Sequence, residues 1–479
     1  MPSRDYTEAL EKLSQLQSNR TTTALFDKRK TAQELNSAAM SEMVLWLRRA
    51  GYERHHLQAL RHIHVAGTKG KGSVCAYATA MLKEYGNVGT YTSPHLVSPR
   101  ERIAINGEPI RQDLFAEAFF ELWDRFGEAA RREGRTAAEA DGPESKPFFF
   151  RFLTILAWHI FLKLDVRSVV LECGIGAEYD ATNVLPPEAV SAAVISQLGV
   201  DHVAMLGDTV EKIAWHKAGV LKAGIKTFTR RLDSQPAVME VLRTRAAEKE
   251  AILVEVDDAV VEEWGGVEGL LRGDFQKFNQ ALAVMAVCEH LGQGTSPSAA
   301  LRDMPPEMMT GLRRARLRGR CEMIEQDDVT WLLDGAHTRE SLEEVARWLN
   351  QSIQPGEDIV LVFNQQERDA AELLAGLVNA VVLGSGREDV VSHALFPRND
   401  QKGSTEAVDM CVQDRSAKLM GALMPGCETR TFSNVDDAVA AARIISRQRT
   451  SGPKPKVLVT GSLHLVGGIL RVLEPDAPS

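Results

Sequence analysis

The strongest chemical signal in the chain is Ala66-Gly67-Thr68-Lys69-Gly70-Lys71-Gly72-Ser73. It follows the apolar run Ile63–Ala66 and precedes a helical pattern from about Ser73 to Lys83. A strand, a glycine-rich turn and a helix start are the context a phosphate-binding loop needs. Gly67, Gly70 and Gly72 let backbone N–H groups approach phosphate oxygens, and the helix N-terminus adds positive potential. Lys71 is placed to reach the terminal phosphates of a nucleotide. The spacing departs from the common GxxxxGK[ST] form, because Gly72 separates Lys71 from Ser73. A plain glycine-rich turn is the alternative, and the flanking strand and helix favour phosphate.

Three further motifs sit at the ends of apolar runs. Leu171-Glu172-Cys173-Gly174-Ile175-Gly176 puts a carboxylate where open α/β sheets bind ligands, and Glu172 is able to hold Mg²⁺ beside phosphates. A strand-end glutamate is also an ordinary capping or solvated group. Leu198-Gly199-Val200-Asp201-His202 places a histidine at another strand end, and Lys217 follows fifteen residues later. Taken alone, these two read as a loop histidine and a solvated lysine. Leu333-Asp334-Gly335-Ala336-His337-Thr338 repeats the pattern late in the chain, with turn and site equally open.

The elements that must position these residues alternate between short apolar runs and helical segments. Ser168–Leu171, Ala192–Ser196, Trp331–Leu333, Ile359–Phe363, Ala380–Leu383 and Val457–Thr460 read as buried strands. The alternation predicts an α/β fold with mainly parallel sheets and helices on both faces. Residues 5–17 and Met40–Leu47 show helical spacing before the first strand. Phe148–Leu164, broken by Arg151, His159 and Lys163, reads as a buried helix too short to span a bilayer. Asp124–Lys146 is polar and reads as a surface excursion, and a boundary falls in the Gly/Ser/Thr/Pro cluster Gln293–Pro306. Two domains are expected, residues 1–305 and 306–479.

Composition narrows the class. In 479 residues, 56 Lys plus Arg against 65 Asp plus Glu give a net charge of −9, which argues against a dedicated nucleic-acid binder. The apolar fraction of 44% and charged fraction of 25% exclude wholesale disorder. Cys75, Cys173, Cys288, Cys321, Cys411 and Cys427 lack zinc spacing and fit a reducing compartment. The first residues, MPSRDYTEALEKL, resemble neither a signal nor a transit peptide. A cytoplasmic protein without membrane partners is expected, with a mitochondrial form left open.

In order and spacing the set resembles the folylpolyglutamate synthase family of the Mur ligase superfamily, in its eukaryotic, fungal-type form. The resemblance runs through Leu16-Gln17-Ser18-Asn19, the phosphate loop, Tyr91-Thr92-Ser93-Pro94-His95-Leu96 and Arg100-Glu101-Arg102-Ile103. It continues through Tyr179-Asp180-Ala181-Thr182-Asn183, Trp215-His216-Lys217-Ala218-Gly219, the Asp334–Thr338 motif and Thr460-Gly461-Ser462-Leu463-His464. The resemblance implies a P-loop ATPase domain followed by a smaller Rossmann-like domain. It also implies an ATP-dependent ligase acting as a monomer: ATP phosphorylates the acceptor carboxylate, and the amine of an amino acid, glutamate in the family, displaces phosphate. Carried over by position, Gly67–Ser73 hold ATP with Lys71 on the phosphates. Ser93 and Glu172 are ligands of a first Mg²⁺ and His202 of a second. Lys217 is a carbamylated lysine, Asn279 contacts nucleotide, and Arg320, Asp334 and His337 close on ATP and the incoming amino acid.

Three departures stand out. The family's Gly-Gly-Arg is here Gly176-Ala177-Glu178, its Trp-Pro-Gly-Arg is Leu317-Arg318-Gly319-Arg320, and an Asn-x-Thr-x-x-Arg-Asp motif reads Asn364-Gln365-Gln366-Glu367-Arg368-Asp369. The charge reversal at Glu178 motivates an alternative: a paralogous ligase that couples an amino acid to a carboxylate other than folate. A third reading, a non-catalytic nucleotide-binding scaffold, is disfavoured by the presence of Lys71, Glu172, His202 and Lys217.

Overall fold

The computed structural model describes residues 4–18, 32–294, 296–326, 329–366, 369–400, 409–448 and 454–475. Asn19, Glu367 and Arg368 of the motifs above lie outside the described residues. The chain divides into two compact units: Met1–His95, Pro99–Leu270 and Phe275–Ala315 form the first, and Leu96–Ser98, Leu271–Asp274 and Arg316–Ser479 the second.

The first unit is built on an eight-stranded sheet. In chain order its strands are β1 (Arg61–Ala66), β2 (Val88–Tyr91), β3 (Ile103–Ile105), β4 (Glu108–Pro109), β5 (Ser168–Glu172), β6 (Val190–Ile195), β7 (Lys226–Arg230) and β8 (Ile252–Val256). Their spatial order is β4-β3-β2-β5-β1-β6-β7-β8. All neighbours are parallel except the pairs made by β3. The central strand β1 has β5 on one side and β6 on the other, although both come later in the chain. That reversal of direction opens a crevice beyond the C-terminal ends of β1, β5 and β6.

The central strands are buried, as parallel strands covered on both faces must be. The helix Phe149–Lys163 is buried along most of its length, with Phe152, Leu156, Trp158 and Phe161 fully enclosed. Among the described residues no helix is long and apolar enough to cross a membrane.

The second unit carries β9 (Glu322–Gln326), β10 (Val329–Leu333), β11 (Ile359–Phe363), β12 (Val391–Pro397), β13 (Glu428–Phe432) and β14 (Lys456–Thr460), in the order β13-β12-β11-β14-β10-β9. Only β9 is antiparallel to its neighbour.

Two sequence expectations are corrected here. Ala380–Leu383 is not a strand but part of the helix Ala370–Ser385. Its buried residues Leu373, Leu374, Leu377, Val378 and Val381 follow helical spacing, Asp369 caps the start, and Leu383 is 87% exposed. Asp124–Lys146 is not one surface excursion: residues up to Arg132 continue the helix Gln112–Arg132. Phe119, Trp123, Phe126 and Ala130 form one buried stripe along it, which the surrounding charges mask in composition.

Candidate active site

The glycine-rich loop leaves β1 at Ala66 and enters the helix Lys71–Leu82. Gly70 caps that helix at φ +83°, and a Cβ there would lie 2.3 Å from Asn279 Oδ1, so both backbone and space require glycine. Asn279 stands on the helix Gln276–His290 and donates through Nδ2 to Gln276 Oε1 at 2.9 Å. Gln276 in turn donates to Ser73 Oγ at 3.4 Å. Asn279 therefore backs the loop.

The loop is braced from β6. Thr68 and Lys69 both donate their backbone N–H to Gln197 O, at 2.8 and 3.1 Å. Thr68 Oγ1 donates to Gly199 O at 3.0 Å, and Ser196 Oγ donates to Lys69 O at 2.7 Å. Two of the expected phosphate-facing N–H groups are thus already used as struts. The N–H groups of Lys71, Gly72 and Ser73, in the first helical turn, lack helical partners and are the ones suited to an anion.

Two lysines converge on one oxygen. Lys71 Nζ lies 3.2 Å from Gly67 O and 3.5 Å from Thr68 O, and Lys217 Nζ donates to the same Gly67 O at 2.6 Å. Lys217 ends the helix Val210–Lys217 and is only 2% exposed. Burial, and then the neighbouring Lys71, push its amine down to about 7. The nearby carboxylate is Glu172, 4% exposed at the end of β5, with Oε1 4.0 Å from Lys71 Nζ. Its Oε2 accepts the backbone N–H of Ser93 at 2.8 Å. The half-buried Lys71, the buried Lys217 and a helix N-terminus bring positive potential to the strand ends beside Glu172, which suits a polyphosphate.

The donor chemistry also fits Mg²⁺. Glu172 offers a hard carboxylate oxygen, and Ser93, whose backbone N–H meets that carboxylate, carries a hydroxyl of the same donor class. Among the described residues no three His, Cys, Asp or Glu side chains cluster as an all-protein metal site. His202 is set apart in character: it caps the short helix Val203–Leu206 at φ +50°, its ring is 43% exposed, and its Nε2 is 3.6 Å from Asp201 Oδ2.

Asp180, within the Tyr179–Asn183 motif, has a structural role that the motif does not announce. Its carboxylate accepts N–H bonds from Gly174 at 3.0 Å, Ile175 at 3.2 Å and Thr182 at 2.9 Å, so it fixes the loop that leaves Glu172. Ser196 and Gln276 were missed altogether. The signal for Ser196 was its place directly after β6, matching Glu172 on β5. Gln276 offered none, because its partner Ser73 is 203 residues away.

In the second unit β10 ends at Leu333, and Asp334 follows, 7% exposed. Its Oδ2 accepts Cys321 N at 2.7 Å and its Oδ1 accepts Ala336 N at 2.8 Å. Burial raises its carboxyl above the usual range, against the pull of Arg320. His337 Nδ1 donates to Gly335 O at 2.8 Å, which selects the Nδ1–H tautomer of the neutral ring. A Cβ on Gly335 would meet Arg320 Nη1 at 2.8 Å and Leu463 Cδ2 at 2.2 Å, so glycine is what lets Arg320 lie beside the Asp334 loop.

Glu178 is a further correction. Its carboxylate is not a loose charge: Arg245 Nη2 and Lys249 Nζ bind its Oε2 at 2.8 and 2.9 Å. The charge reversal at this position is neutralised within the protein by the helix Pro236–Glu248 and the residue after it.

The chain is 37% identical over 98% of its length to folylpolyglutamate synthase from Neurospora crassa, covering 92% of that protein. The chain belongs to the folylpolyglutamate synthase family. It is 34% identical to the Saccharomyces cerevisiae folylpolyglutamate synthase, with 99% of this chain and 88% of that protein covered. Residues 319–463 match the family model described as Mur ligase, glutamate ligase domain. Among solved structures, Mycobacterium tuberculosis folylpolyglutamate synthase complexed with ADP has the same fold, with a TM-score of 0.71 at 22% identity, covering 99% of this chain and 100% of that one.

Proposed function

We propose that the protein lengthens the glutamyl chain of a folate, using ATP to activate the terminal carboxylate. It is an ATP-dependent ligase. The γ-phosphoryl group passes to the carboxylate, ADP leaves, the glutamate amine attacks the acyl carbon, and phosphate departs as the amide forms. Such a reaction asks the protein for positioning and charge compensation. The observation that carries the reading is the pair of lysines, half-buried Lys71 and buried Lys217, on Gly67 O after the end of β1, with Glu172 beside Lys71.

The finer roles are part of the proposal. Lys71 and the first-turn N–H groups of its helix bind the phosphates, with Gly67, Thr68, Lys69, Gly70, Gly72 and Ser73 shaping the loop and Asn279 backing it. Glu172 and Ser93 would hold Mg²⁺, which would offset the charge of the phosphates; His202 would serve a second ion. Lys217 would carry a carbamate. Its lowered pKa, about 7, leaves a neutral amine fraction able to add CO₂, and the product would replace one of two crowded cations by an anion. Arg320, Asp334 and His337 would bind nucleotide and the incoming amino acid, from the second unit, whose main segment begins at Arg316. The six free cysteines fit a reducing compartment, and we place the protein in the cytoplasm on that basis.

The test is direct. Purified protein with MgATP, tetrahydrofolate and glutamate is expected to release ADP and give glutamylated folate by mass spectrometry. ADP release with another carboxylate and none with folates would turn the assignment to a paralogous ligase. The pairing of Glu178 with Arg245 and Lys249 removes the sequence argument for that alternative.

A further inference from the structure

We propose that Glu178 is a positioning residue that acts through Trp215 and His216 to hold Lys217 on the phosphate loop. The inference rests on the ligase reading above, which puts Lys217 at the reacting phosphates. Two independent links join Glu178 to the helix that ends in Lys217. The first is backbone: Glu178 N–H donates to His216 O at 2.8 Å. A Cβ on Gly219 would fall 2.2 Å from Glu178 N and 2.4 Å from Glu178 Cα, so the two backbones are in direct contact just past Lys217. The second is through side chains. Arg245, bound to Glu178 Oε2, lays its guanidinium 4.4 Å from the centre of the Trp215 ring. Tyr179, the next residue, packs its ring 6.3 Å from Trp215 and 5.9 Å from His216. Lys217 follows directly and reaches Gly67 O.

The carboxylate is needed because the cations around it are in excess. Arg245 and Lys249 share the single oxygen Oε2, while Arg245 reaches Glu248 with its other arm. Lys222 lies close enough to feel Lys249, and burial with that repulsion lowers its amine to about 8. Burial opposes ionisation of Glu178, yet Lys249 and Arg245 outweigh it and hold the carboxyl below the usual range. Without Glu178 these half-buried cations repel one another, and the guanidinium loses the bond that keeps it over Trp215. The same loop begins at Glu172 and is fixed by Asp180, so this clamp sets the lysine and the carboxylate of the site in one frame.

The test uses the full chain and three variants: Glu178→Ala, Glu178→Gln and Glu178→Asp. Displacement of a catalytic group by about 1 Å costs up to roughly a hundredfold in rate, so Glu178→Ala is expected to lower kcat about 10- to 100-fold with KM for ATP within about twofold. Lys217, read by peptide mass spectrometry after brief treatment with acetic anhydride, should be acetylated several times faster than in the wild type. Glu178→Gln, which keeps volume and one acceptor, should fall between. Glu178→Asp keeps a carboxylate between the same cations and should hold most of kcat and of the protection of Lys217. Wild-type kcat and wild-type protection in Glu178→Ala would overturn the proposal. So would a loss of kcat with Lys217 protection unchanged, or a Glu178→Asp variant that falls as far as Glu178→Ala. If the wild type does not glutamylate folates, the ligase reading fails, and the acetylation of Lys217 still decides whether the clamp exists.

Discussion

The two ends of the eight-stranded sheet both carry buried polar side chains, and they treat them in opposite ways. At the N-terminal ends of β1, β5 and β6, the buried histidines His62 and His290 are held neutral and both ring nitrogens of each are answered. His62 Nδ1 donates to Ala189 O at 2.8 Å while its Nε2 accepts from Trp158 Nε1 at 3.2 Å. His290 bonds Ser191 Oγ at 2.6 Å and Ser168 Oγ at 2.9 Å. At the C-terminal ends of the same strands, Lys71 and Lys217 crowd one carbonyl, with Glu172 as the nearby carboxylate. The first arrangement is what a buried polar network needs to stabilise a fold. The second stores like charge, which costs stability and becomes favourable only when an anion arrives. One sheet thus separates its stability from its chemistry by the length of five or six residues.

The largest effect that would sharpen this contrast is at Lys71. Lys71→Ala is expected to lower kcat/KM for ATP-driven ligation by about 10³-fold, or about 4 kcal/mol of transition-state stabilisation. Thermal unfolding should stay near wild type or rise slightly, because one of two crowded cations is gone. Steady-state ADP release and a melting curve on the same sample check both halves. A variant that melts far below wild type would break the comparison, since the active end would then be structural as well.

How much of this was legible follows from range. The strand-end residues Gly67–Ser73, Glu172 and Asp334 stand out in sequence because glycines and charges interrupt apolar runs, and the sheet gathers the first two at one edge. The partners that decide what each group does are remote. Thr68 and Lys69 spend their N–H groups on Gln197, and His62 and His290 find their partners about a hundred residues away in the chain. Glu178 shows this most clearly: as a single charge in sequence it suggests a substrate contact, whereas in the structure Arg245 and Lys249 bind it. Ala380–Leu383 failed for another reason, since four apolar residues fit a strand and a helix equally well.

The second effect belongs to the structural end. Burial holds both His62 and His290 down at about 4, against 6.5 for a free imidazole. Between those values the unfolded chain binds protons that the folded chain refuses, so stability is complete above about pH 6.5 and is lost as the pH falls toward 4. The cause is geometric for His62, because a proton on Nε2 would face the N–H of Trp158. Each histidine accounts for up to about 3 kcal/mol of that acid loss. Urea unfolding at pH 7.5, 5.5 and 4.5 measures it, and the difference between wild type and His62→Phe isolates it from the carboxylates. Parallel curves for the two proteins would show that the imidazole does not titrate as its surroundings require.

The smallest effect asks whether the rule of the first sheet extends to the second. Asp334 follows β10 as Glu172 ends β5, yet it resembles the satisfied end more closely, with its two oxygens accepting Cys321 N and Ala336 N. Asp334→Asn keeps the shape but turns one acceptor into a donor facing a backbone N–H, which costs about 1–3 kcal/mol of stability. If Asp334 only holds its turn, kcat should fall no further than that local strain explains. If it also serves the reaction, kcat should drop about 10- to 100-fold while urea unfolding moves by no more than the hydrogen-bond cost. We expect the second outcome. Burial raises its carboxyl above the usual range, and Arg320 in the same loop system opposes that rise. A buried carboxyl group set beside a guanidinium, in a turn that its neighbours Gly335 and Thr338 already shape, is more than the turn itself requires.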